Sequence, residues 1–265
     1  DLHNLLFDKY LVEGIKTLLP DYAIRIQNFI SEYLGDQEHP VPFGGREQQM
    51  IQLNKWLEDT GASANLLVGA PAGRGKSALL VNWARALLKR KDIHVIFFPI
   101  SIRFRTNLAS VAFSSIAARL AALFGEEGQF SPDLSPEISR AMMTSYLSRQ
   151  LPNGQRLLLV LDGIDEAADW EAGPDLFPSS LAQTTRIVLS ARYLAGDSSG
   201  YDWLRRLGWD LPGRGEFIDL NPLTPSGVAD VLAHMSIPLE RLSMRVDIVA
   251  ELHRLSEGDP LVVRL

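Results

Sequence analysis

A chain of 265 residues with 46% hydrophobic and 22% charged residues has the balance of an ordinary folded globular protein and can bury a sizeable core. Its formal net charge of −6 argues against non-specific nucleic-acid binding as the main activity, because phosphate backbones are held by positive surface. The lack of cysteine excludes a disulfide scaffold and thiolate metal sites, and the longest apolar runs are strand-length, far short of the roughly 20 residues a bilayer requires.

Residues 1 to about 35 carry apolar positions at helical spacing, clearest in Asp21 to Leu34, where Ile24, Ile26, Phe29, Ile30 and Tyr33 largely share one face. They read as a helical linker over residues 1–40. Pro40, Pro42, Gly44 and Gly45 break helix and mark the entry to a main domain over residues 41–221. Arg46 to Asp59 reads as a helix, with Met50, Leu53, Trp56 and Leu57 at three- and four-residue spacing, before Gly61 stops it.

Strand-like runs follow at Asn65 to Gly69, Ile93 to Ile100, Arg156 to Leu161, Arg186 to Ser190 and Glu216 to Leu220. Helical patterns near Ser77 to Arg90, Leu108 to Phe124 and Glu137 to Gln150 fill the gaps. The alternation predicts an α/β domain with a five-stranded parallel sheet, right-handed crossovers and helices on both faces. Beyond Pro222 the strands cease; Pro225 to Met235 and about Arg245 to Ser256 predict a small helical subdomain over residues 222–265, with a further helix beginning near Pro260. Ser198 to Gly200 and Pro212 to Gly215 read as loop punctuation, and no internal repeat is visible.

The strand ending at Gly69 runs through Ala70, Pro71, Ala72, Gly73, Arg74 and Gly75 to Lys76 and Ser77, where a helix with Ala78 in its first turn begins. A glycine-bearing loop between strand and helix is the context of a P-loop. Gly73 and Gly75 allow backbone N–H groups to turn inward around a phosphate. Lys76 supplies charge to the β- and γ-phosphates, Ser77 a hydroxyl ligand for Mg2+, and the helix N-terminus its positive dipole end. The pattern departs from the usual one at its first position, where Ala70 replaces glycine.

The apolar run Leu157 to Leu161 leads into Asp162, Gly163, Ile164, Asp165 and Glu166. A buried strand would deliver these carboxylates to the sheet edge where ligands bind. Asp162 is expected to meet the magnesium held by Ser77, and Asp165 or Glu166 to orient and deprotonate a water. Arg192, after the strand at Arg186 to Ser190, is placed to reach a γ-phosphate. Arg103, Arg105, Arg205, Arg206 and Arg214 read as solvated positions. The five tryptophans read as packing residues. The five histidines are too scattered for a metal-ligand spacing.

Taken in order, Phe43-Gly-Gly-Arg46-Glu47, the P-loop, Leu161 to Glu166, Leu189-Ser-Ala-Arg192, Leu220-Asn-Pro-Leu-Thr224 and Gly258-Asp-Pro260-Leu261 resemble the STAND class of P-loop NTPases, from about residue 41 onward. The likeness is to its NACHT-like branch, because the small Gly163 and two further acids follow Asp162, and Phe98 to Asn107 looks like prokaryotic antiviral STAND proteins. The resemblance implies that Pro260 packs on adenine, that Phe43, Gly45 and Arg46 line the other side of the base, and that ATP or ADP with Mg2+ is the cofactor. It implies an ATPase switch that self-associates within a larger signalling protein. Without a charged-then-apolar leader or a starting methionine, the chain reads as a piece of such a protein, with a cytoplasmic location expected. The alternatives are a non-hydrolysing, nucleotide-bound scaffold and an AAA+ motor.

Overall fold

The computed structural model describes residues 19–36, 38–152, 154–235 and 239–264; the first part of the expected helical linker, residues 1–18, lies outside them. The elements run α1 (Pro20–Leu34), α2 (Glu47–Glu58), β1 (Asn65–Ala70), α3 (Lys76–Leu87), β2 (Ile93–Pro99), α4 (Ala109–Phe124), α5 (Pro136–Leu147), β3 (Arg156–Asp162), β4 (Thr185–Arg192), α6 (Gly200–Arg206), β5 (Glu216–Asp219), α7 (Pro225–Ala233), α8 (Val246–Ser256) and α9 (Pro260–Arg264). The boundaries have local causes. Pro136 and Pro225 occupy first turns, where a missing N–H costs nothing, behind Ser135 and Thr224, whose hydroxyls accept from Ile138 N and Gly227 N. The segment expected as a plain loop at Ser198 to Gly200 is instead a capping box, Ser199 with Asp202, that starts the short α6. Arg205 and Arg206 therefore lie on a helix.

The five strands form one parallel sheet in the order β2-β3-β4-β1-β5. Strands β1, β3 and β4 are buried almost end to end, as a sheet covered by helices requires. The edge strand β2 would expose carbonyls to solvent, but Arg119 of α4, itself buried, donates to Val95 O at 3.1 Å and Phe97 O at 2.9 Å. The charged side chain closes that edge from within.

Register sets the ligand rim. Val68 pairs with Ser190 and Ala70 with Arg192 across β1 and β4, while Leu161 pairs with Leu189 across β3 and β4. The end of β1 and the acidic end of β3 are thus held apart by β4, two strand spacings or about 10 Å. The loop after β1 and the turn after β3 face each other over that gap.

Helix α1 buries Ala23, Ile26, Phe29 and Ile30 in the same core as the sheet strands, and it packs on α3 and β2. Ile24, expected on this face, is 55% exposed instead. A second, smaller core of Leu223, Val228, Val231, Leu232 and Val249 holds α7 and α8 together. Because Ile26 is fully buried in the sheet's core, Ile26→Ala should cost about 2–5 kcal/mol in urea unfolding; a loss below about 1 kcal/mol would mean that α1 does not belong to the cooperative unit.

Candidate functional site

The loop between β1 and α3 owes its shape to two glycines, Gly73 at φ +80° and Gly75 at φ +84°. A Cβ on Gly73 would lie 2.9 Å from Asp259 Oδ2, a side-chain end that can move aside, so it is the positive φ that calls for glycine there. Gly75 is the N-cap of α3, and no side chain caps that end. Its first-turn amides are left to a ligand.

Lys76 is 8% exposed, and its Nζ donates to the carbonyls of Ala70 and Pro71, each at 3.0 Å. Burial pulls its pKa down, opposed by the charges of Asp165 and Asp162. Asp162 is 2% exposed and receives a short hydrogen bond from the Ser190 hydroxyl. Burial pushes its pKa up, while Ser190, Ser77 and Lys76 favour the carboxylate. Gly163 follows with φ +83°, and a Cβ there would lie 2.6 Å from Ile100 O, which is why a small residue stands behind the aspartate.

The turn Ile164–Glu166 carries the next two acids. Asp165 accepts from Arg192 N at 2.8 Å and Arg192 Nε at 2.5 Å. Glu166 accepts from Ile102 N at 2.9 Å and Arg192 Nη2 at 3.3 Å. Arg192, read from the sequence as a γ-phosphate contact, is here engaged by both acids, and that pairing holds its pKa up, the bond to Asp165 most strongly.

These groups open onto one cavity of about 320 Å³, within the range of small-molecule sites. Of the residues singled out from the sequence, Phe43, Arg46, Ala72, Gly73, Gly75, Lys76, Ser77, Ala78, Asp165, Glu166, Arg192 and Pro260 line it. The others do not line it. Ala70 and Pro71 hold Lys76 by their carbonyls, Asp162 lies beneath Ser77 and Ser190, and Gly45 is a joint, its N–H bonded to Asp230 Oδ2 at 2.6 Å. Arg74 lies 3.9 Å from Asp259. The sequence reading missed Tyr33, Val41, Pro42, Ser190, Val231 and Leu261, which come to the wall from α1, the 41–46 segment, β4, α7 and α9.

Pro260 reaches the site because Gly258, at φ +67°, lets the chain turn against Leu223, whose N–H bonds Gly258 O at 2.7 Å. Its Cγ then stands 3.8 Å from where a Cβ on Gly75 would be. Arg46, 4% exposed, donates to Asn221 O at 2.9 Å and Arg74 O at 2.8 Å, which joins the loop to the chain after β5. Its Nε has no hydrogen-bond partner, while Arg74 Nη1, also without a hydrogen bond, has Asp259 as its ion-pair partner. One buried guanidinium donor of the cavity wall without an acceptor, near the uncapped amides of α3, fits an anionic ligand. Among the described residues no three His, Cys, Asp or Glu side chains gather as a metal site. Ser77 and Asp162 would leave most ligand positions of a magnesium ion to phosphate and water, the usual arrangement for that ion.

A group whose pKa is raised by folding weakens the fold as it ionises, from its unfolded value upward through its folded value. Asp162 is such a group, so its charge opposes folding of the empty protein at pH 7. Asp162→Asn keeps an acceptor for Ser190 and removes that charge; it should raise the thermal midpoint of the empty protein by about 2–4 °C or more at pH 7. The gain should shrink as pH falls toward 4. A lowered midpoint at pH 7 would contradict this account.

Residues 42–189, more than half of the chain, match the AAA ATPase domain family. No curated protein matches the chain. Among solved structures, the Drosophila ORC bound to DNA is similar at a TM-score of 0.55 and 14% identity, over 90% of this chain and 58% of that one. Cdc6p from Pyrobaculum aerophilum is similar at 0.50 and 19% identity, over 88% and 63%. A STAND protein with a tetratricopeptide repeat sensor from Pyrococcus horikoshii gives a lower score of 0.45 at 12% identity, over 84% and 29%. The chain thus spans less than two thirds of each of these proteins, and at such identities the likeness concerns the fold. With a P-loop, an acidic β3 and a five-stranded parallel sheet in one domain, the chain belongs to the AAA ATPase domain family.

Proposed function

We propose that this domain binds ATP with magnesium between its two cores and hydrolyses it slowly, as the switch of a larger STAND-type, NACHT-like signalling or defence protein. One observation carries the reading: Lys76, Ser77 and Glu166 from the sheet domain line the same cavity as Val231, Pro260 and Leu261 from the helical part. A ligand filling that cavity touches both cores, so its binding favours their closed arrangement over any open one, and it biases assembly only by that difference.

The amides of Gly73 to Ser77 cradle the phosphates, and Lys76 exchanges its two carbonyl partners for phosphate oxygens. Ser77 and Asp162 hold magnesium, which when bound neutralises phosphate charge. Phe43, Pro42 and Val41 offer an apolar wall to the base, with Pro260 and Leu261 opposite; adenine is the base we assign. Glu166 takes the proton of the attacking water once it leaves Arg192, whose Nη atoms, with Nε still held by Asp165, then serve the γ-phosphate. The proposal of assembly in the whole protein rests on the order of motifs from Phe43 to Leu261, and that of an antiviral role on the segment Phe98 to Asn107. The net charge of −6 supports a partner other than nucleic acid for this domain.

The hydrogen bonds that occupy both Asp165 and Glu166 favour a second reading, a nucleotide-bound scaffold that does not turn over. Two variants separate the readings. Lys76→Ala should weaken ATP binding about tenfold to a hundredfold by calorimetry, and Glu166→Gln should keep binding but slow phosphate release about a hundredfold or more. Normal turnover in Glu166→Gln, or none in the wild type, would end the hydrolytic reading; calorimetry in which the full-length protein ignores every nucleoside triphosphate would end both.

A further inference from the structure

Asp259 meets the phosphate loop from the helical part. A Cβ on Gly73 would lie 2.9 Å from its Oδ2 and 3.1 Å from its Oδ1, so the carboxylate rests against the backbone of the loop. A negative charge there opposes any phosphate held by the neighbouring amides. Arg74 supplies the counter-charge: its Nη1 lies 3.9 Å from Asp259 Oδ2, and the two side chains are 19% and 23% exposed. Neither residue lines the cavity, so the pair stands beside the ligand space and not in it.

Each partner is fixed on its own side. Arg46 donates from Nη2 to Arg74 O at 2.8 Å and from Nη1 to Asn221 O at 2.9 Å, which pins the backbone of the loop. Asp259 Oδ1 accepts from Leu261 N at 2.8 Å, its carbonyl accepts from Val263 N at 3.1 Å, and its own N–H donates to Ser256 O at 2.8 Å. The carboxylate is thus built into the start of α9, next to the Pro260 that covers Gly75. Arg74 Nη1 makes no hydrogen bond. The attraction is therefore one of charge, which tolerates small shifts and fades as the two cores part.

We infer that Arg74 and Asp259 form a latch that holds the helical part shut over the phosphate loop and so sets how fast a bound nucleotide leaves. The inference rests on the nucleotide reading of the cavity. Lys76 and Pro260 wall the cavity from the two cores, so a ligand between them leaves only as those cores separate, and the pair must break in that motion. Two charges that merely lay near a phosphate would behave otherwise: Arg74 would attract the nucleotide and Asp259 would repel it. The two accounts give opposite signs for the loss of Asp259.

Arg74→Gln and Asp259→Asn each remove one charge, and asparagine keeps an acceptor for Leu261 N at the start of α9. Release of N-methylanthraniloyl-ADP from the full-length protein into excess unlabelled ADP, followed by stopped flow, should quicken about three- to tenfold in both variants, between the effects of losing an exposed and a buried pair. The double variant should release no faster than the faster single one. In nucleotide-free protein, Arg74→Gln should speed amide hydrogen exchange at Leu261 and Val263, across the latch from the substitution. Slower release from Asp259→Asn would overturn the inference, as would rate effects that multiply in the double variant or unchanged exchange at Leu261 and Val263. Wild-type protein that ignores ADP would overturn the nucleotide reading and this inference together; ADP binding with unchanged release in both variants would overturn this inference alone.

Discussion

Lys76 and Asp162 are 8% and 2% exposed at one rim of the sheet, and burial opposes the charge of each. Neither would persist there without partners. Carbonyls of Ala70 and Pro71 hold the ammonium, and the Ser190 hydroxyl holds the carboxylate from the strand between them. The arrangement stores an unfavourable charge distribution that a ligand bearing both anionic oxygens and a cation would relieve. Strand order makes this possible, because β4 separates the two charged ends widely enough to admit a phosphate group and narrowly enough for Ser190 to touch Asp162.

The second theme is how many separate elements converge on one small volume. Arg46 ties the P-loop to the chain after β5, Asp230 of α7 holds Gly45, and Gly258 turns the last helix so that Pro260 covers Gly75. The cavity wall is therefore a joint between the sheet core and the helical core. Small displacements of either core change the space at the phosphate loop, and interfaces of this kind shift between discrete packings rather than deform smoothly. Helix α1 adds a third body to that joint from the opposite end of the chain.

The acidic turn links the same parts electrostatically. Arg192 spans Asp165 and Glu166, and Glu166 also accepts from the turn that α1 grips. Asp165 is the more enclosed acid and takes two bonds from Arg192, which fix the direction of the guanidinium. Glu166 is the less enclosed of the two, with one oxygen on Ile102 N at 2.9 Å and the other in the longer contact to Arg192 at 3.3 Å.

Local chemistry made much of this legible in advance. The strands at Asn65, Ile93, Arg156, Thr185 and Glu216 are short apolar runs between turn residues, and the P-loop and the Asp162 turn are contiguous segments whose glycines, lysine and acids act over a few residues. The short α6 escaped because seven residues carry no measurable period, and Ile24 was assigned to a buried face that it only borders. What the sequence by itself determined was the kind of fold and the contiguous phosphate and acid motifs, since both follow from side chains close together along the chain. Tertiary structure alone decided that β4 stands between β1 and β3, that Arg192 closes on the two acids, and that Tyr33, Val231 and Leu261 join the site. Those contacts connect residues tens to hundreds of positions apart, and no periodicity or spacing records which of the many possible long-range pairings the packed core will favour.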